Sequence, residues 1–429
     1  MRRVVVTGIG AVGPLGNSLD ECWKSAKVGR SGLGRITRFD ASALKWKMAG
    51  EVKGFEASGY LSRKDIIRLD PFAHYAVAAA LMAAADARLT SDPDINFYRN
   101  TADENGSNAK RSAYLSSAGV IIGSSRGGIC TIEKALEKKF NCSGASSHRI
   151  SAFLMPSTTV SMASSYVARK LGIKGYCLGL SNACASGSNA IGEGYRMIKT
   201  GYSDLMLCGG AEAPLCRICI EGYGSSGTLS KVSDSSASRP FDRSRDGFVL
   251  SEGACILVLE NLESALKRGV RIYGEVAGYG NTNDAYHQIM PSAEGEMRAM
   301  RMAMEEAGVK PADIDFVSAH GTSTQLGDKT ETQAIKMCFG KRAYSVPVSS
   351  VKSMTGHMLS ASGAFEVALT MLCMREAIIS PTINLKERDP ECDLDYVTKP
   401  RRADIEFSVS NSFGFGGVNA VLVLRRPDF

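Results

Sequence analysis

Short uninterrupted apolar runs alternate along the chain with longer segments whose apolar positions recur every three or four residues. Val4-Val5-Val6-Thr7 reads as a buried strand, and similar runs predict strands at Ala118–Gly123, Gly175–Leu180, Leu205–Gly209, Ala254–Glu260, Ile272–Tyr279, Phe316–Ala319, Pro347–Ser350, Phe407–Ser410 and Ala420–Arg425. Helical spacing predicts Ile129–Phe140, Thr159–Lys170, Leu262–Arg268, Glu294–Ala307 and Ala361–Glu376. This alternation argues for a layered α/β fold. Pro71 to Leu89 is alanine-rich but carries His74 and Asp86. Asp70 as N-cap and Pro71 at the first helical position make it a buried helix. No run of about eighteen apolar residues is present, so no membrane insertion is expected. Asn100 to Ser112 is polar and without periodicity, which predicts a surface insertion.

Gly8-Ile9-Gly10-Ala11-Val12-Gly13 matches GxGxxG directly after the first strand. A dinucleotide site also needs a helix after the third glycine and an acid ending the next strand. Pro14, Gly16 and Asn17 follow instead, and Gly32-Leu33-Gly34-Arg35 offers no carboxylate. A tight turn after the strand is the simpler expectation.

The chain hints at duplication. A strand, a Gly/Ser elbow and a buried helix occur around Cys184 and again over Val348–Leu369, and Arg2–Gly13 has an echo in Arg271–Gly280. The reading divides the chain into halves 1–268 and 269–429, joined at Arg268-Gly269, with Cys184 and His357 on pseudo-equivalent turns.

At 429 residues and 44% hydrophobic content the chain can bury a large core. The N-terminal Met1-Arg2-Arg3-Val4 enters a strand directly, with no secretory leader pattern, which predicts a cytoplasmic protein. The twelve cysteines lie mostly in apolar runs and read as reduced core thiols. Cys216-Arg217-Ile218-Cys219 is a lone CxxC with no second ligand pair at zinc-like spacing, so it reads as core packing and no metal is expected. The net charge of +7 lacks a basic run interleaved with aromatics, which argues against nucleic acid. It fits steering of an acidic protein partner.

Candidate chemistry centres on Leu180-Ser181-Asn182-Ala183-Cys184-Ala185-Ser186-Gly187, where an exposed thiol is expected at a helix start. The positive end of a helix dipole favours thiolate. Two of five histidines lie on Gly/Ser/Thr turns, in Ala319-His320-Gly321-Thr322-Ser323-Thr324 and Lys352-Ser353-Met354-Thr355-Gly356-His357. A thiol nucleophile with two imidazoles suits acyl transfer through a thioester.

Those three motifs, with Arg239-Pro240-Phe241-Asp242, Arg245-Asp246-Gly247-Phe248, Gly327-Asp328-Lys329 and Asn411-Ser412-Phe413-Gly414-Phe415-Gly416-Gly417, resemble the elongating β-ketoacyl-acyl carrier protein synthases along the whole chain. The resemblance implies a thiolase-like fold, two pseudo-duplicated α/β halves in a five-layered α-β-α-β-α arrangement, and a homodimer or a heterodimer with a related subunit. It implies decarboxylative Claisen condensation of malonyl-carrier protein with an acyl group on Cys184. His320 and His357 would stabilise the malonyl-derived enolate, with Lys352 and Glu331 pairing beside them. The backbone amides of Cys184 and Phe415 would form an oxyanion hole, and Phe415 would also gate the site. Thr322 and Thr324 match pantetheine-contacting positions. No cofactor is implied, because phosphopantetheine arrives on the acidic acyl carrier protein. Lys64, Arg68 and Arg149 resemble its docking sites.

Several positions depart from the family pattern. Arg126 stands where an apolar or small residue lines the acyl pocket, Tyr223 replaces phenylalanine, Leu154 replaces an aromatic on the dimer-side wall, and Gly227 replaces an arginine near the entrance. Burying an unpaired guanidinium is costly, so Arg126 is expected to find a partner, turn away or meet a polar substrate. Two alternatives stand beside fatty-acyl elongation: the ketosynthase of a specialised polyketide or unusual-lipid pathway, and a non-catalytic chain-length partner. Cys184 argues against the last.

Overall fold

The computed structural model describes residues 2–90, 113–140 and 150–428. The polar stretch 100–112 and Arg149 lie outside these residues. Ten strands join in the order Val348–Ser349, Phe316–Ser318, Phe407–Gly414, Val418–Arg425, Gly274–Asn283, Val4–Val12, Gly253–Asn261, Leu205–Glu212, Gly119–Gly123, Cys177–Leu180. Read outwards from the centre, both directions repeat one pattern. An inner strand pairs antiparallel with the last strand of its half. That strand pairs antiparallel with the fourth, and the second and third follow in parallel. The halves join where Val4–Val6 pairs with Gly274–Val276.

The strands are apolar on both faces because both faces are covered. Cys255, Leu257 and Leu259 point inwards while Ala254, Ile256 and Val258 point outwards; Ala420, Leu422 and Leu424 face in while Val421 and Val423 face out. Helices Ser186–Lys199 and Ser360–Glu376 pack together between the two halves of the sheet. Pro71–Asp86 and Met162–Leu171 cover one outer face; Ala293–Ala307, with Gln325–Phe339 beside it, covers the other. This is the five-layered α-β-α-β-α order. Ser360–Glu376 is buried from Ser360 through Met374, as a helix apolar all round must be.

The third glycine of the fingerprint opens the expected tight turn, Gly13 N–H donating to Gly16 O at 2.9 Å ahead of the helix Leu19–Lys27, whereas Gly8 and Gly10 lie inside the strand Val4–Val12. A Cβ there would sit 2.2 Å from the Ala83 carbonyl oxygen and 2.0 Å from that of Ala79, so these glycines let the alanine-rich helix Pro71–Asp86 close onto the strand. The second half repeats the device: a Cβ on Gly278 would lie 2.1 Å from Ala303 O and one on Gly280 2.0 Å from Ala299 O. Among the described residues no helix is long and apolar enough to cross a membrane.

Candidate active site

The strand Cys177–Leu180 runs into an elbow at Asn182-Ala183-Cys184, where Ala183 takes φ +47°. Such a backbone is costly for a residue with a Cβ and persists only where neighbours hold it. Ser186 holds it: its Oγ accepts from Asn182 N–H at 2.8 Å and donates to Ala183 O at 2.6 Å. The second half builds the same elbow, with Leu359 at φ +47° and Ser362 Oγ accepting from Met358 N–H at 2.9 Å. The two turns are therefore equivalent. The residue matching Cys184 within them is Ser360, while His357 stands three residues earlier.

Cys184, His320 and His357 line one cavity of about 410 Å³, with Thr322, Thr324, Tyr223 and Phe415 nearer its walls and mouth. The thiol is 9% exposed, so it lies at the floor of a cavity and not, as expected, on the surface. Burial pushes its pKa up to about 11, against the opposing pull of Lys352, Arg126 and the Phe415 backbone N–H. Desolvation outweighs the helix start, and the resting group is a neutral thiol rather than the thiolate the sequence suggested.

His320 follows the strand Phe316–Ser318, and its backbone is set by Glu331 on the helix Gln325–Phe339. The carboxylate accepts from His320 N–H at 2.8 Å and Gly321 N–H at 2.7 Å. The Lys352 ammonium lies 3.4 Å from His320 Nδ1. His357 is anchored by its own N–H to Val249 O at 2.7 Å, and its Nδ1 lies 3.1 Å from Ser362 Oγ. Donors on both Nδ1 atoms assign the protons to Nε2 by this network. The rings stand 5.3 Å apart, nearly perpendicular, and His357 Nε2 has no protein partner. Burial and then the Lys352 charge hold both imidazoles well below their usual pKa, so both are neutral N–H donors.

The family models for "Beta-ketoacyl synthase, N-terminal domain" and "Beta-ketoacyl synthase, C-terminal domain" match residues 1–265 and 273–386. The chain belongs to the β-ketoacyl synthase family. A 3-oxoacyl-[acyl-carrier-protein] synthase 2 of Synechocystis sp. is 44% identical to this β-ketoacyl synthase over 99% of the chain and 98% of its own length. The structure of the ishigamide ketosynthase/chain length factor is 36% identical, with a TM-score of 0.89 and 99% of each chain covered. A type II PKS acyl-carrier protein in complex with its ketosynthase bound to the hexaketide is 32% identical, with a TM-score of 0.85, covering 99% of this chain and 100% of that one.

Against the sequence expectations, the Lys352–Glu331 pairing of this β-ketoacyl synthase is corrected: Lys352 pairs with Glu366 on the central helix Ser360–Glu376. Glu331 accepts from backbone amides and from Asn411 Nδ2 at 3.0 Å. Glu366 was legible as the lone acid in an apolar run, and it is the residue that sequence reasoning missed. Arg126 finds a partner: its Nε donates to Tyr223 Oη at 2.8 Å, with the guanidinium carbon 5.2 Å from that ring's centre. Tyr223 lines the cavity and Arg126 stands behind it. Leu154 does not reach the catalytic cavity of its own chain. Its short helix Leu154–Thr158 packs on the helix Ile129–Phe140, where Leu154 lines a separate cleft with Arg68, Lys134, Lys138 and Lys139. Arg68 stacks 4.1 Å over the Phe153 ring beside that cleft, and Lys64 is exposed.

Proposed function

We propose that this chain is a condensing acyltransferase that forms 3-oxoacyl thioesters on an acyl carrier protein, with Cys184 as nucleophile and His320 and His357 as decarboxylation donors. The observation that carries this reading is one cavity lined by a thiol and two neutral imidazoles whose Nε2–H groups are left free by donors at Nδ1. In the first half-reaction the Cys184 sulfur attacks the acyl thioester, and the carrier's pantetheine thiol leaves. Malonyl-carrier protein then enters past Thr322 and Thr324. Its carboxylate departs as CO2, and the electron pair passes into an enolate whose oxygen accepts from His320 and His357. The enolate carbon attacks the Cys184 thioester, and the amides of Cys184 and Phe415 hold the resulting oxyanion. Collapse expels the Cys184 thiolate, which takes up a proton from solvent to restore the thiol, and releases the 3-oxoacyl product. Lys352, balanced by Glu366, keeps His320 Nδ1 unprotonated, and Glu331 keeps its backbone in place.

Phosphopantetheine is read here as part of the carrier-protein substrate, with no resident cofactor or metal. The acidic carrier protein is proposed to dock near Lys64, Arg68 and Arg149. The assembly is proposed as a dimer, of identical chains or with a related subunit, acting in the cytoplasm. Arg126 and Tyr223 favour a second reading of pathway: a polar pair behind the cavity suits an acyl chain with polar or rigid features, and the ishigamide ketosynthase is among the similar structures. The chemistry is the same in both.

Peptide mapping after incubation with acyl-carrier proteins of graded length tests the reading. The acyl mass is expected on Cys184, and the chain that loads fastest separates plain fatty acyl groups from specialised ones. An adduct on Cys216 or Cys219 in place of Cys184 would overturn it.

A further inference from the structure

The CxxC motif left over by the condensing chemistry sits in a more particular setting than core packing. Cys216 is the N-cap of the helix Arg217–Ser225, with extended backbone and no side-chain cap, and Cys219 is the third residue of that helix. Cys130, near the start of the helix Ile129–Phe140, donates its thiol to Ala213 O at 2.8 Å, which brings it against the same turn. Cys130, Cys216 and Cys219 belong to one buried apolar cluster. The three are 7%, 4% and 7% exposed at 130, 216 and 219, yet Ile218 between the last two is 55% exposed, so they lie just beneath the surface. Glu133 accepts from the N–H groups of Arg217 at 3.0 Å and Ile218 at 2.6 Å, which fixes this turn against the neighbouring helix. No metal-holding group is assembled among the described residues. All described cysteines are free, and apart from Cys177 and Cys184 the others lie in the large core clusters.

We propose that Cys216 and Cys219 form a redox modification site that a two-electron oxidant of the hydroperoxide class closes to a disulfide. Two thiols on one helical turn need only side-chain rotation to meet, whereas Cys130 is anchored on another helix by its bond to Ala213. Cys216 stands at the N-cap facing the first N–H groups of its helix, and the neighbouring thiols favour charge on it, which makes Cys216 the attacking sulfur. Its thiolate attacks one peroxide oxygen, the O–O bond breaks, and the hydroxide released takes up the thiol's proton as water. The Cys219 sulfur then attacks the Cys216 sulfenic acid; the S–O bond breaks and a second water leaves with the Cys219 proton. Two thiols and one peroxide become one disulfide and two waters. The helix that is cross-linked carries Tyr223 one turn further on, so the disulfide stiffens the wall that holds Arg126 beside the cavity.

The experiment uses the full chain with Cys184→Ala, so that the nucleophile of the condensing site does not compete and the outcome is independent of the assigned activity. After one equivalent of hydrogen peroxide, blocking of free thiols in denaturant and peptide mapping without reductant, we expect a Cys216–Cys219 disulfide, a loss of two titratable thiols per chain and full recovery with dithiothreitol. Adding Cys216→Ser is expected to slow thiol loss at least tenfold, while Cys130→Ser still closes the same bond. Complete alkylation of Cys216 and Cys219 while other cysteines oxidise would overturn the proposal, as would a disulfide from Cys216 to Cys130.

Discussion

Neutral imidazoles at 320 and 357 give the cavity a proton inventory that differs from that of a charged pair. Their folded pKa values lie well below 6.5, so each stays an N–H donor as the pH falls through the range where free histidine gains a proton. Malonyl decarboxylation is therefore expected to show no acid limb near pH 6.5 attributable to either ring, read from CO2 release between pH 6 and 8. Alanine at either position should slow decarboxylation by about 10²–10³-fold while Cys184 still acquires an acyl group. Wild-type CO2 release from both variants would remove the role assigned to them. Glu366 makes a second prediction at this scale. Glu366→Gln leaves the Lys352 ammonium, 1% exposed, without its carboxylate, at a cost of about 3–5 kcal/mol in denaturant unfolding. A shift below 1 kcal/mol would mean that Lys352 is balanced elsewhere.

The two central helices are where elements and chemistry meet. Each begins at a strained elbow, and their first turns are packed too tightly for side chains. A Cβ on Gly187 would lie 2.1 Å from Ser360 O, and one on Gly363 would lie 2.2 Å from Ser188 Oγ. Gly187→Ala is expected to destabilise the fold by roughly 1–3 kcal/mol and to slow acylation of Cys184 beyond that loss, because the clash is relieved by moving the elbow. Most elements were legible from periodicity: Ile129–Phe140 and Leu262–Arg268 match their expected bounds, and Pro71 begins its helix behind the Asp70 cap. The helices Gln325–Phe339 and Arg217–Ser225 were not anticipated. In Gln325–Phe339 the apolar pattern is broken by buried polar residues that reach other elements, such as Asp328, which accepts from Phe241 N–H at 2.7 Å. The Arg126–Tyr223 contact also spans two elements. Arg126→Ile should shift acyl selectivity towards longer saturated chains in a competition among carrier-bound acyl groups; unchanged selectivity would remove Arg126 from the specificity argument.

At the scale of the molecule, buried carboxyls tie stability to pH. Glu296 lines the catalytic cavity, is 1% exposed and leaves Oε2 without a partner. Burial, then the nearby charges of Glu331 and Asp284, raise its pKa well above 4.5. A raised carboxyl pKa means that the native state holds its proton longer than the unfolded chain does. Its contribution is therefore fully present below pH 4.5 and lost as pH rises towards the folded value. Glu296→Gln should raise the melting temperature at pH 8 and leave it unchanged near pH 4; a uniform shift at both would place the effect in packing. The surface makes a separate prediction. Reversing charge at Lys64 and Arg68 should raise KM for carrier-bound substrates several-fold and flatten its dependence on salt, without altering Cys184 reactivity towards a small thioester.

By itself the sequence determined the α/β class, the positions of most strands along the chain, the trace of a repeat and the three candidate side chains, because those depend on local periodicity and on motifs contiguous in the chain. Only the tertiary structure decided the partners and the protonation states. That Lys352 meets Glu366 and not Glu331, that Cys184 rests as a thiol, and that Ser360 rather than His357 mirrors it all follow from which elements approach one another across the central layer. Gly8 and Gly10 make the same point. The sequence marked the glycines, but their purpose is the room they leave, where a Cβ would sit 2.2 Å and 2.0 Å from carbonyl oxygens of a helix more than sixty residues away. Electrostatic energies and steric limits act through space, and distance along the chain does not encode them.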